Sequence, residues 1–324
     1  MTSVYDTQVL ETLCRDPYRL RKFRNAFFKK ALPLEECLAL VPELDDQVCF
    51  EDLEIVERHD SATDGATKLL LQAKDDHRIE SVILRIGTGR TSLCISSQIG
   101  CAADCTFCAT GKMGFVRNLT AAEMLDQVLL AKRLLCEEGR TLRNVVVMGM
   151  GEPLHNETEL YAALDALRDP RFFNLSEKHL MVSTVGVPAA MLRFAERFPK
   201  INLALSLHSA RQEVREQLMP VSRVYTLEMI KAALPKKLMV EVLLLKGIND
   251  SPEEISSLLE FLKETQAHIN LIQFNAFPGA SFEPVSTETR DAFGDALKNA
   301  GFKVTLRYSL GSDIAAACGQ LAGE

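Results

Sequence analysis

Residues 237–275 read KLMVEVLLLKGINDSPEEISSLLEFLKETQAHINLIQFN. Apolar runs at 237–245 and 269–275 flank an amphipathic stretch over 252–265. Both runs are rich in Val, Ile and Leu, as expected of strands covered on both faces. Strand, helix and strand form a βαβ unit, and repeating that unit builds a parallel sheet.

The same rhythm extends in both directions. Further β-runs are SLCISS (92–97), NVVVMGM (144–150), HLMVSTV (179–185), INLALSLH (201–208) and KVTLRYS (303–309). Helical segments fall between most of them, at Thr120–Glu137 and near 156–168, 188–197, 226–234 and 287–300. Thr120 with Glu123 three positions on is a capping-box pattern. The count falls short of eight βα units, so the expectation is an α/β fold with an incomplete barrel. Chemistry in such folds gathers at the C-terminal ends of the strands.

Residues 1–79 lack this rhythm and are read as a small α+β accessory region ahead of a core over 80–324. Short helices are expected over 18–31 and 33–41. A turn at 60–65 then leads to strands at 68–73 and 79–86.

The 324 residues are 47% hydrophobic and 25% charged, which excludes disorder as the main state. No run of about 18 apolar residues marks a membrane span. The opening residues lack the apolar core of a secretory signal, so a cytoplasmic, reduced protein is expected. The 37 Lys and Arg against 44 Asp and Glu give a net charge of −7, which weighs against a protein living by phosphate contacts. One local exception is 14–30, CRDPYRLRKFRNAFFKK. It carries Arg15, Arg19, Arg21, Lys22, Arg24, Lys29 and Lys30 against only Asp16, with Tyr18, Phe23, Phe27 and Phe28 interleaved. This is a candidate RNA-docking patch. The alternative is an amphipathic helix with its aromatic rings turned inward.

Nine cysteines are present, four of them between 94 and 108. An odd number in a reduced compartment favours metal or redox chemistry over a disulfide framework. Cys101, Cys105 and Cys108 follow a strand at spacings of four and three. Three thiolates so placed can hold one face of an iron–sulfur cluster and leave one iron open. The competing reading is structural zinc, with Cys94 as a fourth ligand.

C-x₃-C-x₂-C with Phe107 before the last cysteine resembles the radical S-adenosylmethionine (SAM) signature. The longer stretch SLCISSQIGCAADCTFCATGKMGFVRNLT (92–120) resembles the radical SAM RNA adenine methyltransferases of the RlmN/Cfr type. So do VVVMGMGEPLHN (145–156), VSTVGVP (182–188), LALSLH (203–208), LIQFNAFPGA (271–280) and DIAAACGQLAG (313–323). The resemblance covers roughly 75–324. It implies a partial (β/α)6 TIM-like barrel, one [4Fe–4S] cluster on Cys101, Cys105 and Cys108, and SAM on the open iron, two molecules per turnover. Gly151, Glu152, Ser183, Ser206, Leu207, His208 and Asn275 become SAM contacts by the same resemblance. Cys318 becomes the methyl carrier, Cys94 the second redox-active cysteine, closing a transient disulfide with it, and Glu80 the proton acceptor.

The implied reaction is methylation of adenine C2 in RNA, 23S rRNA with tRNA as a further substrate, through a covalent adduct. C8 methylation by the same chemistry, or a zinc-stabilised RNA-binding protein, are the alternatives. An electron donor of the flavodoxin or ferredoxin kind and a monomeric state complete the expectation. The chain has no tryptophan, and Leu310 stands where the family has arginine before Gly311.

Overall fold

The computed structural model describes residues 2–323. Its main sheet has ten strands. They are β1 (Leu53–Asp60), β2 (Ala66–Ala73), β3 (Arg78–Arg85), β4 (Thr91–Ile95), β5 (Asn144–Val147), β6 (Leu180–Thr184), β7 (Asn202–Ser206), β8 (Lys237–Leu244), β9 (Gln266–Gln273) and β10 (Lys303–Arg307). Each strand lies beside its neighbour in sequence. From β4 to β10 every pairing is parallel. Helices Ala121–Glu137, Glu157–Arg168, Pro188–Arg197, Leu227–Ala232, Pro252–Leu262 and Thr287–Asn299 fill the six crossovers. The two end strands, β1 and β10, do not pair with each other, so the barrel stays open as expected.

Local chemistry sets the ends of these helices. Thr120 and Glu123 form the reciprocal capping box. Ser251 caps Pro252–Leu262 and Ser286 caps Thr287–Asn299 through their side-chain oxygens. Strands and helices share one large apolar core running from Val4 to Leu321, and a second, smaller cluster gathers Leu243, Ile272 and Phe274 with Cys101, Cys105 and Phe107.

β1, β2 and β3 are antiparallel and continue the same sheet through the β3–β4 pairing. Strand β3 spans position 79, so the sheet crosses the expected boundary without a break. Ahead of this ribbon lie helices Thr7–Leu13 and Pro17–Arg24, the latter running on as a π-helical turn over Asn25–Lys29. Phe23, Phe27 and Phe28 are fully buried there. Phe28 meets Phe172 edge-on at 4.9 Å between ring centroids. These three rings are therefore corrected from a stacking surface to core. They anchor the N-terminal helices on the back of the barrel. Tyr18 remains outside, 54% exposed, with the Lys22 ammonium 4.5 Å above its ring. Arg24 is also buried, while Arg15, Arg21, Lys22, Lys29 and Lys30 are exposed. Among the described residues no helix is long and apolar enough to cross a membrane.

Candidate active site

A cavity opens at the C-terminal ends of the parallel strands, with about 940 Å³ of empty space counting its mouth. Val147, Ser183, Thr184, Ser206, Leu243 and Ile272 bring five strands to its wall. Cys101, Cys105 and Cys108 line one side, on the loop that follows the short strand Gln98–Gly100. This loop is held tightly. Gly100 has φ +70°, and a Cβ there would stand 1.8 Å from the Gly114 carbonyl oxygen, so only glycine lets the two ends of the loop meet. Cys101 N–H donates to that carbonyl at 2.8 Å, and Thr106 N–H donates to Leu218 O at 2.9 Å. Burial pushes the Cys101 thiol up to about 12. Cys105 is raised by burial and then by the charges of Cys108 and Cys101. Each thiol thus lies within electrostatic reach of the others.

Gly151 and Glu152 follow β5 and face the triad across the cavity. Gly151 adopts φ +99°, and an added Cβ would lie 2.5 Å from the Gln98 Cβ. Glu152 accepts Leu154 N–H at 2.9 Å and Val185 N–H at 2.7 Å. Burial raises its carboxyl to about 7. Ser183 and Ser206 line the wall with their hydroxyls 3.1 Å apart. His208 has φ +57°, rare for a non-glycine residue and a mark of a constrained site. Its Nδ1 accepts Leu243 N–H at 3.1 Å, which fixes the neutral tautomer with the proton on Nε2. Burial, then the Arg215 charge, drive its pKa down to about 3.

Cys318 stands on the same wall, beside Gly319. It is exposed by surface area, yet its sulfur sits in densely packed surroundings. Burial therefore dominates and raises the thiol, while the Arg307 guanidinium opposes the rise. Cys94, on β4, is pushed up to about 12 by burial and then by the neighbouring Cys318 sulfur. Burial works against the Arg307 charge, but Cys318, Glu241 and Cys94 around it outweigh that effect. Glu241 is 1% exposed. Its Oε1 accepts from Asn270 at 2.8 Å, and its Oε2 has only Arg307 Nη1, 3.6 Å away. No disulfide is present among the described residues: all nine cysteines are free thiols.

Four expected site residues lie off the cavity wall, Cys94 and three more. Leu207 is buried and works through its backbone, accepting Arg215 Nε–H at 3.1 Å. Asn275 donates to Ser309 Oγ at 2.8 Å and to the Cys318 carbonyl at 3.2 Å. Glu80 is 1% exposed and spends both oxygens elsewhere, one on Lys68 Nζ at 2.8 Å and one on the backbone of Ala322 and Gly323.

Sequence reasoning passed over Arg215, which is 0% exposed. Its donors reach the carbonyls of Leu207, Val185 and Ser206 and the Ser222 hydroxyl, and it forms no salt bridge. Burial lowers it to about 10, and the Cys105 charge is what opposes that. A buried cation without a carboxylate is costly unless an anion faces it. A thiolate-bound iron–sulfur cluster is such an anion, so the donor set and its surroundings fit that group. A zinc site borrowing Cys94 fits poorly, because Cys94 answers to Cys318 and not to the triad. Among the described residues no three ligating side chains converge on a single ion. A cube of irons does not need them to, since each cysteine binds a different corner.

The radical SAM superfamily model matches residues 95–262, just over half of the chain. A protein of Rhodopirellula baltica, named a probable RNA methyltransferase, is 46% identical over 98% of this chain and 87% of its own length. A dual-specificity RNA methyltransferase RlmN of Ruthia magnifica is 39% identical over 95% of this chain and 90% of its own. The chain belongs to the RlmN-type RNA methyltransferases of the radical SAM superfamily. A crystal structure of a radical SAM methyltransferase from Sphaerobacter thermophilus superposes on it with a TM-score of 0.91, at 34% identity and 100% coverage of both chains. Membership in this family implies a [4Fe–4S] cluster and SAM as cofactors.

Proposed function

We propose that the protein methylates C2 of an adenine in RNA, rRNA first and tRNA as a further substrate, using Cys318 as a methyl carrier. The observation that carries this reading is Cys318 in the same cavity as the Cys101, Cys105 and Cys108 triad, with Cys94 and Arg307 close behind it. A radical SAM enzyme that needed only its cluster would have no use for the second pair of thiols.

Cys101, Cys105 and Cys108 would hold the cluster, and Glu152, Ser183, Ser206 and the Nε2–H of His208 would orient SAM. When bound, the cluster and SAM supply a 5′-deoxyadenosyl radical, able to take one hydrogen atom from a methyl group.

Cys318 acts first as a nucleophile. Its thiolate displaces the methyl from one SAM, forming a C–S bond and releasing S-adenosylhomocysteine. Arg307 favours the thiolate in a setting where burial opposes it. After loss of one hydrogen, the methylene carbon on Cys318 would bond to C2; the C2 proton would pass to a base and the surplus electron to the oxidised cluster, the one-electron acceptor left by SAM cleavage. The Cys94 thiolate then attacks the Cys318 sulfur. An S–S bond forms, the C–S bond breaks, and the freed carbon takes a proton to become the methyl product. A flavodoxin- or ferredoxin-type donor returns the disulfide to two thiols. By resemblance Glu80 is the group that accepts the C2 proton. It can reach a substrate only if Ala322 and Gly323 let go of it.

The test is anaerobic turnover of reconstituted protein with SAM carrying a trideuterated methyl, a reductant and candidate RNAs. The expected product is adenine bearing two deuteriums and one solvent proton on a methyl at C2. Label at C8 would move the target carbon, and no label in any adenine would sink the reading. A Cys94→Ala variant should accumulate protein covalently joined to RNA, visible as a shifted band on a denaturing gel.

A further inference from the structure

Cys318 lies in a loop with little regular structure of its own. Between the end of β10 and Gly323 there is only the three-residue turn Ser312–Ile314. Gly311 has φ +75° and Ala315, a non-glycine, has φ +50°. Such a segment keeps its place only through bonds to other elements.

At its two ends the antiparallel ribbon supplies those bonds. At the near end, Gly311 N–H donates to Asp64 Oδ2 at 2.8 Å. Asp313 accepts from Ser61 Oγ at 2.8 Å and from Ala62 N–H at 3.0 Å. At the far end, Glu80 Oε2 accepts Ala322 N–H at 2.7 Å and Gly323 N–H at 3.2 Å. The middle rests on the cysteine loop, where Ala109 N–H donates to Gly319 O at 2.7 Å and Thr110 Oγ donates to Leu321 O at 2.6 Å, and on the loop after β9, where Asn275 donates to Cys318 O at 3.2 Å and Gln320 donates to Ala276 O at 2.6 Å.

The far anchor is the strongest of these. Glu80 on β3 and Lys68 on β2 sit diagonally across an antiparallel pair, Leu70 standing opposite Glu80 and Lys68 opposite Val82. Both side chains are buried, and the Lys68 ammonium is 2.8 Å from Glu80 Oε1. The ion pair fixes one oxygen and aims the other at two backbone N–H groups. A buried carboxylate with these partners makes charge-assisted bonds, the kind most costly to lose.

We propose that Glu80, set by Lys68, is a latch that holds segment 311–323 against the ribbon and so places the Cys318 sulfur in the cavity. It is a positioning residue for the carrier thiol. Any proton transfer to its carboxylate comes after the latch has opened, because the oxygen that would take the proton is the one holding Ala322 and Gly323. The meaning of the latch rests on Cys318 being the reacting thiol, but its existence does not depend on turnover.

Hydrogen exchange on the full chain tests it directly. In Glu80→Ala, the amides of Ala322 and Gly323 should exchange roughly ten-fold faster or more. Alkylation of Cys318 by iodoacetamide, followed by peptide mass, should quicken in parallel. Glu80→Gln keeps an oxygen to accept both N–H groups but turns its N–H2 toward the Lys68 ammonium, so it should restore protection only in part. Unchanged exchange and alkylation in Glu80→Ala would overturn the latch. So would a loss of protection spread over the whole sheet, which would make Glu80 an ordinary fold residue. A wild-type protein inert toward every RNA would refute the proposed function and leave this exchange result readable.

Discussion

Arg215 shows how one side chain can organise a whole cavity. Its guanidinium gathers carbonyls from the ends of β6 and β7 and from the turn after β7, which together carry Ser183, Ser206 and His208. Arg215→Met keeps much of the volume but leaves those carbonyls unpaired in the interior. The expected cost is about 2–4 kcal/mol of unfolding free energy, read from urea denaturation. SAM binding, measured by calorimetry, should fall with it. No sequence signal marked this residue, because an arginine in the stretch QEVREQL reads as a solvated helix face. Its burial comes from contacts eight to thirty positions away in the chain. That the triad, Gly151, Ser206 and His208 would share one cavity was legible for the opposite reason: each sits in a motif of a few adjacent residues. Leu207 and Asn275 show the limit of that legibility, since a motif gives a residue's neighbourhood but not the atom it turns to.

Among the elements, all seven parallel strands and the six crossover helices follow the apolar runs and caps read from the sequence. Several elements did not announce themselves, among them strand β1, helix Thr7–Leu13, helix Gln212–Leu218 and the strand pair Gln98–Gly100 and Phe115–Asn118. β1 reads LEIVERHD and lies at the open edge of the sheet, where charges belong and the apolar pattern is lost. Its place depends on Asp126, in helix Ala121–Glu137, which accepts the N–H groups of Asp52 and Leu53 and the Tyr5 hydroxyl. Burial pushes the Asp126 carboxyl up to about 7, from about 3.9 in an unfolded chain. The folded protein therefore keeps a proton that the unfolded chain releases. The stability this contributes is complete below about pH 4 and is lost as pH rises through about 7. Asp126→Asn should remove that dependence. Unfolding free energies at pH 4 and pH 8 should differ less in the variant than in wild type, by as much as about 4 kcal/mol.

Taken as a whole, the molecule is acidic yet belongs to a family named for RNA, and its cationic surface is local. Arg15, Arg21, Lys22, Lys29 and Lys30 stay exposed on the N-terminal helices, while the phenylalanines between them close the core. Composition could not separate those two faces, because the helical periodicity that sorts them is broken by the π turn at Asn25–Lys29. If this face meets phosphates, reversing Arg21 and Lys22 to Glu should weaken RNA binding. It should also lower the slope of log affinity against log salt by about 2, read by filter binding across a salt series. Unchanged affinity would move the RNA to another face.

The loop that carries Cys318 is also fastened to groups about 250 positions earlier in the chain, Ser61, Ala62 and Asp64 at one end and Glu80 at the other. Ribosomes make the chain from its amino end, so the ribbon and the cysteine triad are complete while this loop is still being synthesised. A nascent chain can thus order the ribbon and the cysteine loop before residues 311–323 exist to dock on them.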